Sequence, residues 1–316
     1  MAVSAGSVIE AIPAAFRRMG LILFQPFDAG KWFVLGFCAW LAQLGEGGGP
    51  NFNFNFNAGG GDFDGFARVV KEHLDLIILI AALALLVGLA LGLLITWLSS
   101  RGKFMFLDGV VRNRGAVVEP WRQYRAPANS LFWFRLVFGL AVLLLLVVIG
   151  GVCVGIAWID IERETFSGAT LGAMLLGFAL LFPLMLITNL ISSLLEDFVV
   201  PVMYLRGLRV WPAWGVVYRE LVRGHVGPVL LFYLMKVVMG MAVALVAILV
   251  CCITCCIVAL PYIGTVILLP LPVFMRCYSL CYIEQYGPGW ELFAAGAREA
   301  PPSAPLPPAG PEGGVE

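Results

Sequence analysis

Residues 76–98, LIILIAALALLVGLALGLLITWL, form an uncharged run of 23 residues that limits the fold more than any other feature of the chain. A helix rises about 1.5 Å per residue, so the run reaches about 35 Å and can cross a hydrocarbon core of about 30 Å. Four further stretches are similarly long and apolar: Leu136–Trp158, Leu171–Leu194, Val237–Ile257 and Tyr262–Tyr282. A sixth, Trp32–Leu44, has only 13 residues and reads as a short span drawing on its neighbours to about residue 45. Composition points the same way. The 316 residues are 61% hydrophobic and 13% charged, with a mean hydropathy of +0.94, whereas a soluble domain is about 45–50% apolar and about 25% charged. The expected fold class is all-α: a polytopic integral membrane helical bundle of about six transmembrane helices, with amphipathic helices at the interface.

Basic residues orient such a bundle, because Lys and Arg accumulate in cytoplasmic loops. With six spans, Arg17, Arg18 and Lys31, the seven basic residues of the 101–135 linker, Arg206, Arg209, Arg219, Arg223, Arg276 and Arg298 share one side. Only Arg68, Lys71 and Arg163 fall on the other. Both termini are therefore expected in the cytoplasm of a multi-pass cell-membrane protein. No secretory signal pattern opens the chain, so the first span is expected to direct insertion. Lys236, next to the apolar run from Val237, is read as snorkelling to the inner boundary, with Arg135 in the matching place before Leu136.

This organisation gives an N-terminal interfacial segment over 1–31, a transmembrane region over 32–289, and a cytoplasmic tail over 290–316, disordered from about residue 300 by its Pro and Gly content. In SVIEAIPAAFRRM, Ser7 and Glu10 have capping-box spacing, and Ile12, Phe16 and Met19 or Leu23 form an apolar stripe. In VWPAWGVVYREL, Trp211, Trp214, Val217 or Tyr218, and Leu221 recur at helical spacing opposite Arg219, Glu220 and Arg223. Both read as helices lying in the headgroup layer, where basic linkers meet anionic lipids. The loop over 46–75 carries NFNFNFN, whose period-two alternation suits an outer-surface segment resting its Phe residues at the interface, or a strand contact between copies. Nearby, DFDG has the start of a calcium loop without its remaining ligands.

Two units share an order of words. WRQYR (121–125) precedes LFWFRLVFGL (131–140), and WGVVYR (214–219) precedes LFYLMKVVMGM (231–241). The spans around them read as a possible internal two-helix repeat, an architecture common among transporters but not diagnostic of transport.

Little chemistry is spelled out. There are two histidines, His73 and His225, on opposite expected sides, and no nucleophile elbow, phosphate loop, dinucleotide fingerprint or zincin motif. No catalytic, cofactor-binding or metal-ligating set is expected, and the zero net charge gives no argument for nucleic acid. Cys251, Cys252, Cys255 and Cys256 cluster near the end of one run, and Cys277 and Cys281 share a face of another. Thiolates are costly in apolar surroundings, so these read as packing residues. The most suggestive polar feature is on the fourth expected span: Thr188, Asn189, Ser192, Ser193, Glu196 and Asp197. Asn189, Ser193 and Glu196/Asp197 fall at helical spacing, forming a stripe that could line a path or hydrogen-bond neighbouring helices. Gly88/Gly92, Gly151/Gly155 and Gly168/Gly172 are small-residue pairs suited to close helix packing.

The stretches PFDAGKWFVLGFCAWL, EPWRQYRAPANSLFWFRL, EDFVVPVMYLRGLRVWPAWG and ALPYIGTVILLPLPVFMRCYSLCYIEQYGP resemble a family of uncharacterised polytopic membrane proteins of archaea and bacteria, known only as a domain of unknown function. The pattern is also loosely similar to membrane domains attached to glycerophosphodiester phosphodiesterases, although no catalytic phosphodiesterase domain is present. Neither resemblance implies particular site residues. The function expected first is a non-enzymatic accessory or scaffold component of the cell envelope, partnered by the lipid bilayer and by further copies or another membrane protein. A small transporter or channel using the polar stripe is the alternative, and a membrane-embedded lipid-modifying enzyme the third reading.

Overall fold

Four of the apolar runs become helices longer than a hydrocarbon core is thick. A computed structural model describes residues 7–45, 74–162, 168–254, 260 and 262–294, and is helical with no strand among them. Helix α1 is Ala11–Phe24 and α2 is Ala29–Gln43; α3 (Leu74–Arg112), α4 (Val118–Gln123) and α5 (Arg125–Glu162) follow. Helix α6 (Gly168–Leu194) runs through a π-helical turn at Leu195–Val199 into α7 (Val200–Arg206). Helix α8 (Val210–Val216) passes through a second π-helical turn, Val217–Val222, towards α9 (Val226–Ile253); α10 (Ile263–Ile267) and α11 (Pro270–Glu284) close the order. The loop containing NFNFNFN, Cys255, Cys256 and the tail beyond 294 lie outside the described residues.

Among the described residues, four stretches are long and apolar enough to cross a membrane: Ile78–Arg112, Arg125–Trp158, Gly168–Arg206 and Val226–Ile253. Two of the six expected spans take another form. Helix α2 has 15 residues, a rise of about 22 Å. It lies along the later half of α3 and the turn after it, with Gly45 against Ile95, Gly109 against Leu35 and Gly115 against Lys31, rather than beside most of the apolar run. Ser99 Oγ donates to the Ala42 carbonyl at 2.9 Å, and Gly102 lets the backbones meet, since a Cβ there would lie 2.6 Å from Ala42 N. The expected span over 262–282 breaks at Leu268 and Leu269 into α10 and α11. Pro270, which has no N–H to give, starts α11, as proline suits a first helical turn. Helix α11 also buries Arg276 and Ser279, an interior that lipid would not supply.

Each long helix divides into two parts. In the apolar arms, large side chains are exposed all round: Leu85 is 75% accessible, Phe178 68% and Ile253 72%. Water would not tolerate this much bare apolar surface, whereas lipid solvates it. The core lies in the other parts, where Phe104, Leu107, Phe198, Met203 and Phe232 are fully buried against Leu23, Leu35, Tyr278 and Tyr282. Among the arms, α5 and α6 pack together. Asp160 accepts the Thr170 N–H at 2.9 Å and its hydroxyl at 2.7 Å, satisfying the start of α6. Gly88 and Gly92, by contrast, have open space where a Cβ would stand, so within the chain they mediate no close approach.

The two units that share sequence words also share element order: a 39-residue helical stretch, a short helix, and a long returning helix. Both 39-residue stretches stop in a left-handed residue, Asn113 (φ 52°) and Gly207 (φ 63°), the conformation that lets a chain leave a helix.

Each amphipathic helix divides its apolar residues between the core and the outside. Helix α1 packs on α11 through Ala11, Ala15, Met19, Ile22 and Leu23, leaving Phe16 63% exposed. Before it, Ser7 Oγ accepts the Glu10 N–H at 3.3 Å, which is one half of the expected capping box, and the helix itself begins at Ala11 with Glu10 as its cap residue. Helix α8 and the turn after it bury Val210, Ala213, Val217 and Leu221, while Trp211 and Tyr218 stay exposed.

Candidate functional site: a charged cluster between the long helices

The residues of the polar stripe part company along one helix. Asn189 and Ser192 are exposed on the arm, and Asn189 donates to the Met185 carbonyl of its own helix at 3.0 Å. Thr188 and Ser193 are half-buried. The π-helical turn Leu195–Val199 carries Asp197 into the core and leaves Glu196 at its edge, with 36% of its side chain exposed. The wider turn swings consecutive carboxylates toward different neighbours, a local irregularity that often accompanies functional sites.

Asp197, 2% exposed, accepts from Lys236 Nζ of α9 at 2.6 Å and from Ser279 Oγ of α11 at 2.9 Å. Lys236 therefore does not snorkel. It turns inward because a buried carboxylate needs a cationic or hydrogen-bonding partner. Glu196 faces Lys103 Nζ of α3 at 3.5 Å, and its backbone carbonyl accepts Arg276 Nη1 of α11 at 2.8 Å. Arg135 of α5 donates to Ser99 Oγ at 3.1 Å. Close by, the Arg101 guanidinium sits 4.5 Å from the ring centres of both Trp97 and Trp121 and donates to Asn129 at 3.3 Å. Lys103, Arg135, Lys236 and Arg276 thus surround two carboxylates. The Tyr233 and Tyr278 hydroxyls and Arg276 Nε are buried without a hydrogen-bond partner among the described residues.

A second cluster closes the far ends of α3 and α7. Asp108, fully buried, pairs with Arg112 Nε at 3.2 Å and Arg114 Nη2 at 3.0 Å, and accepts from the Tyr204 hydroxyl at 3.1 Å. Arg114 also pairs with Glu119 at 2.7 Å. Nearer the surface, Arg206 makes a two-pronged bond to Glu220 at 3.1 and 2.8 Å, and that hydrogen bonding holds the Glu220 carboxyl below the usual carboxylate range.

Sequence reading found Glu196 and Asp197 but not their partners Lys103, Arg276 and Ser279. One signal was available: two acids ending one apolar run and single cations beginning two others, Arg135 and Lys236, are complementary in charge. No group of three or more potential metal ligands occurs among the described residues. Cys277 and Cys281 are buried in α11, where burial raises both thiol pKa values.

Over the described residues, the fold and this cluster define a helical protein with four stretches fit to cross a membrane, tied together by partly buried ion pairs. The chain belongs to the family of unknown function DUF7544, whose model matches residues 7–292. No curated protein and no solved structure gives a significant match, so the likeness to glycerophosphodiester phosphodiesterase membrane domains gains no support.

Proposed function

We propose that this chain is a non-enzymatic accessory or scaffold component of a cell membrane, in which the spans anchor a helical layer built from their own polar extensions. One observation carries this reading: the core lies in the extensions, while the apolar arms bury almost none of their surface inside the chain. The charged cluster fits a structural role, because it clamps α3, α6–α7, α9 and α11 where the arms diverge. The excess of Arg and Lys in the extensions supports placing them, with both termini, on the cytoplasmic side.

The transporter alternative needs a continuous polar path, and the outward placement of Asn189 and Ser192 argues against one. The deciding experiment compares ion and solute flux in proteoliposomes of the wild type and of the Asn189→Leu, Glu196→Gln double variant. Flux at the level of empty vesicles, together with a discrete adduct from a photo-crosslinker placed at exposed Trp211 in cells, is the expected result. Flux by the wild type that the double variant abolishes would overturn the scaffold reading.

A further inference from the structure

Helix α1 has three faces rather than two. One is in the core (Ala11, Ala15, Met19, Ile22). Beside it runs an exposed apolar strip that starts in the turn before the helix, with Ile9 69%, Phe16 63% and Phe24 51% accessible. The third strip carries Glu10, Arg17, Arg18 and Leu21, and lines a groove of about 640 Å³ shared with Cys281 and Glu284 of α11. An exposed apolar strip flanked by arginines is the pattern of a helix lying at a bilayer surface, its rings among the acyl chains and its guanidiniums at headgroup depth. The groove would then open at that depth, and its volume is that of a small-molecule site.

The groove's charges form no direct ion pair among the described residues, although Arg18 lies near enough to Glu284 to favour its charged form. Arg17 takes part in no ion pair among the described residues. The Arg18 guanidinium lies over the Phe293 ring at 4.5 Å, which leaves its N–H edges available. Across the groove Glu284 accepts the Phe293 N–H at 2.9 Å, and Glu10 lies exposed on the α1 side. Guanidinium pairs favour phosphate, which they bind in a forked geometry. Carboxylates at the same site favour a headgroup whose far end donates hydrogen bonds, and disfavour choline, which donates none.

We infer that the α1–α11 groove binds the headgroup of a membrane phospholipid, with its phosphate on Arg17 and Arg18 and its hydroxyl or ammonium donors toward Glu10 and Glu284. The inference rests on reading the chain as a membrane protein, which resistance to alkaline carbonate extraction tests by itself. For the groove, the full-length protein in detergent is titrated with phosphatidylglycerol or phosphatidylcholine and bound lipid is counted by native mass spectrometry. The expected result is one tightly retained phosphatidylglycerol per chain, at least fivefold weaker in Arg17→Gln/Arg18→Gln and unchanged in the surface control Arg122→Gln. Because Arg18 also packs on Phe293, Arg17→Glu alone serves where the double variant does not fold, and the same fivefold loss is expected. Equal retention of both lipids, equal loss in the control, or full displacement by millimolar inorganic phosphate would overturn the assignment.

Discussion

Replacing Lys236 by Met separates an inward-turned lysine from a snorkelling one. In the structure Lys236 Nζ lies 2.6 Å from Asp197 Oδ1, with the two side chains 25% and 3% exposed. Removing the cation leaves a buried carboxylate held by Ser279 alone, at 2.9 Å. Breaking a buried pair from one side typically costs about 3–5 kcal/mol, and the partial exposure of Lys236 places the expectation at the lower end, about 3 kcal/mol. That is roughly two decades in the folding equilibrium. Asp197→Asn alone should cost a similar amount, since the ammonium then loses its counterion. The double variant Asp197→Asn/Lys236→Met should recover much of the loss, because a neutral pair of similar volume replaces two desolvated charges. The assay is reversible unfolding in mixed micelles by added SDS, analysed as a double-mutant cycle with a coupling of about 2 kcal/mol or more expected. Single variants that each cost under about 0.5 kcal/mol and add in the double variant would show that the two groups do not meet. Lys236 would then be reaching the interface, and the charged cluster would lose its central pair.

Four other substitutions test separate parts of the fold. Gly102→Ala should destabilise by about 1–3 kcal/mol through overpacking, because the new Cβ would meet Ala42 N and Leu41 C at 2.6 Å. Gly88→Ala, with open space at that position, should be neutral or stabilising by up to about 1 kcal/mol from helix propensity; the same SDS titration reads both. Tyr204→Phe removes the 3.1 Å bond to buried Asp108 and should cost about 1.5–3 kcal/mol, the range for hydrogen bonds to charged groups. Burial raises the Glu284 pKa, so the native state holds that proton more tightly than the unfolded chain. Its favourable contribution is therefore complete below the ordinary glutamate range and is lost as pH rises through the raised value. Glu284→Gln should accordingly raise the melting temperature at neutral pH, with the gain shrinking as pH falls toward 4, and a gain independent of pH would refute the burial argument.

The four long helices were legible because nothing else fits an uncharged run of more than 20 residues, and their positions follow the hydropathy closely. The start of α1 was also legible, since Ser7 and Glu10 are local neighbours. The charged cluster was not, because its partners are remote in the chain: Lys236 is 39 residues from Asp197, and Ser279 is 82. No local spacing encodes such a pair. Only the balance of charge at the ends of adjacent runs hints at it.

The two short helices show what hydropathy leaves undetermined. It measures how poorly a segment tolerates water, and protein interior and lipid answer that demand equally well. Helix α11 and the arm of α9 are both apolar. Yet α11 is buried through Cys277, Tyr278, Leu280 and Tyr282, while α9 leaves Leu245, Ile248 and Ile253 exposed. Pro270 and Pro272 cut the run over 262–282 below spanning length, and Arg276 and Ser279 supply bonds that lipid cannot. In α1 the same ambiguity operates around a single helix. Its small residues, Ala11 and Ala15, face the core because α11 approaches closely there, and both its rings, Phe16 and Phe24, face outward. A stripe defined by residue size alone puts Phe16 inside. Close packing between helices puts alanine there instead and leaves the aromatic strip to the bilayer, beside the arginines that would meet its headgroups.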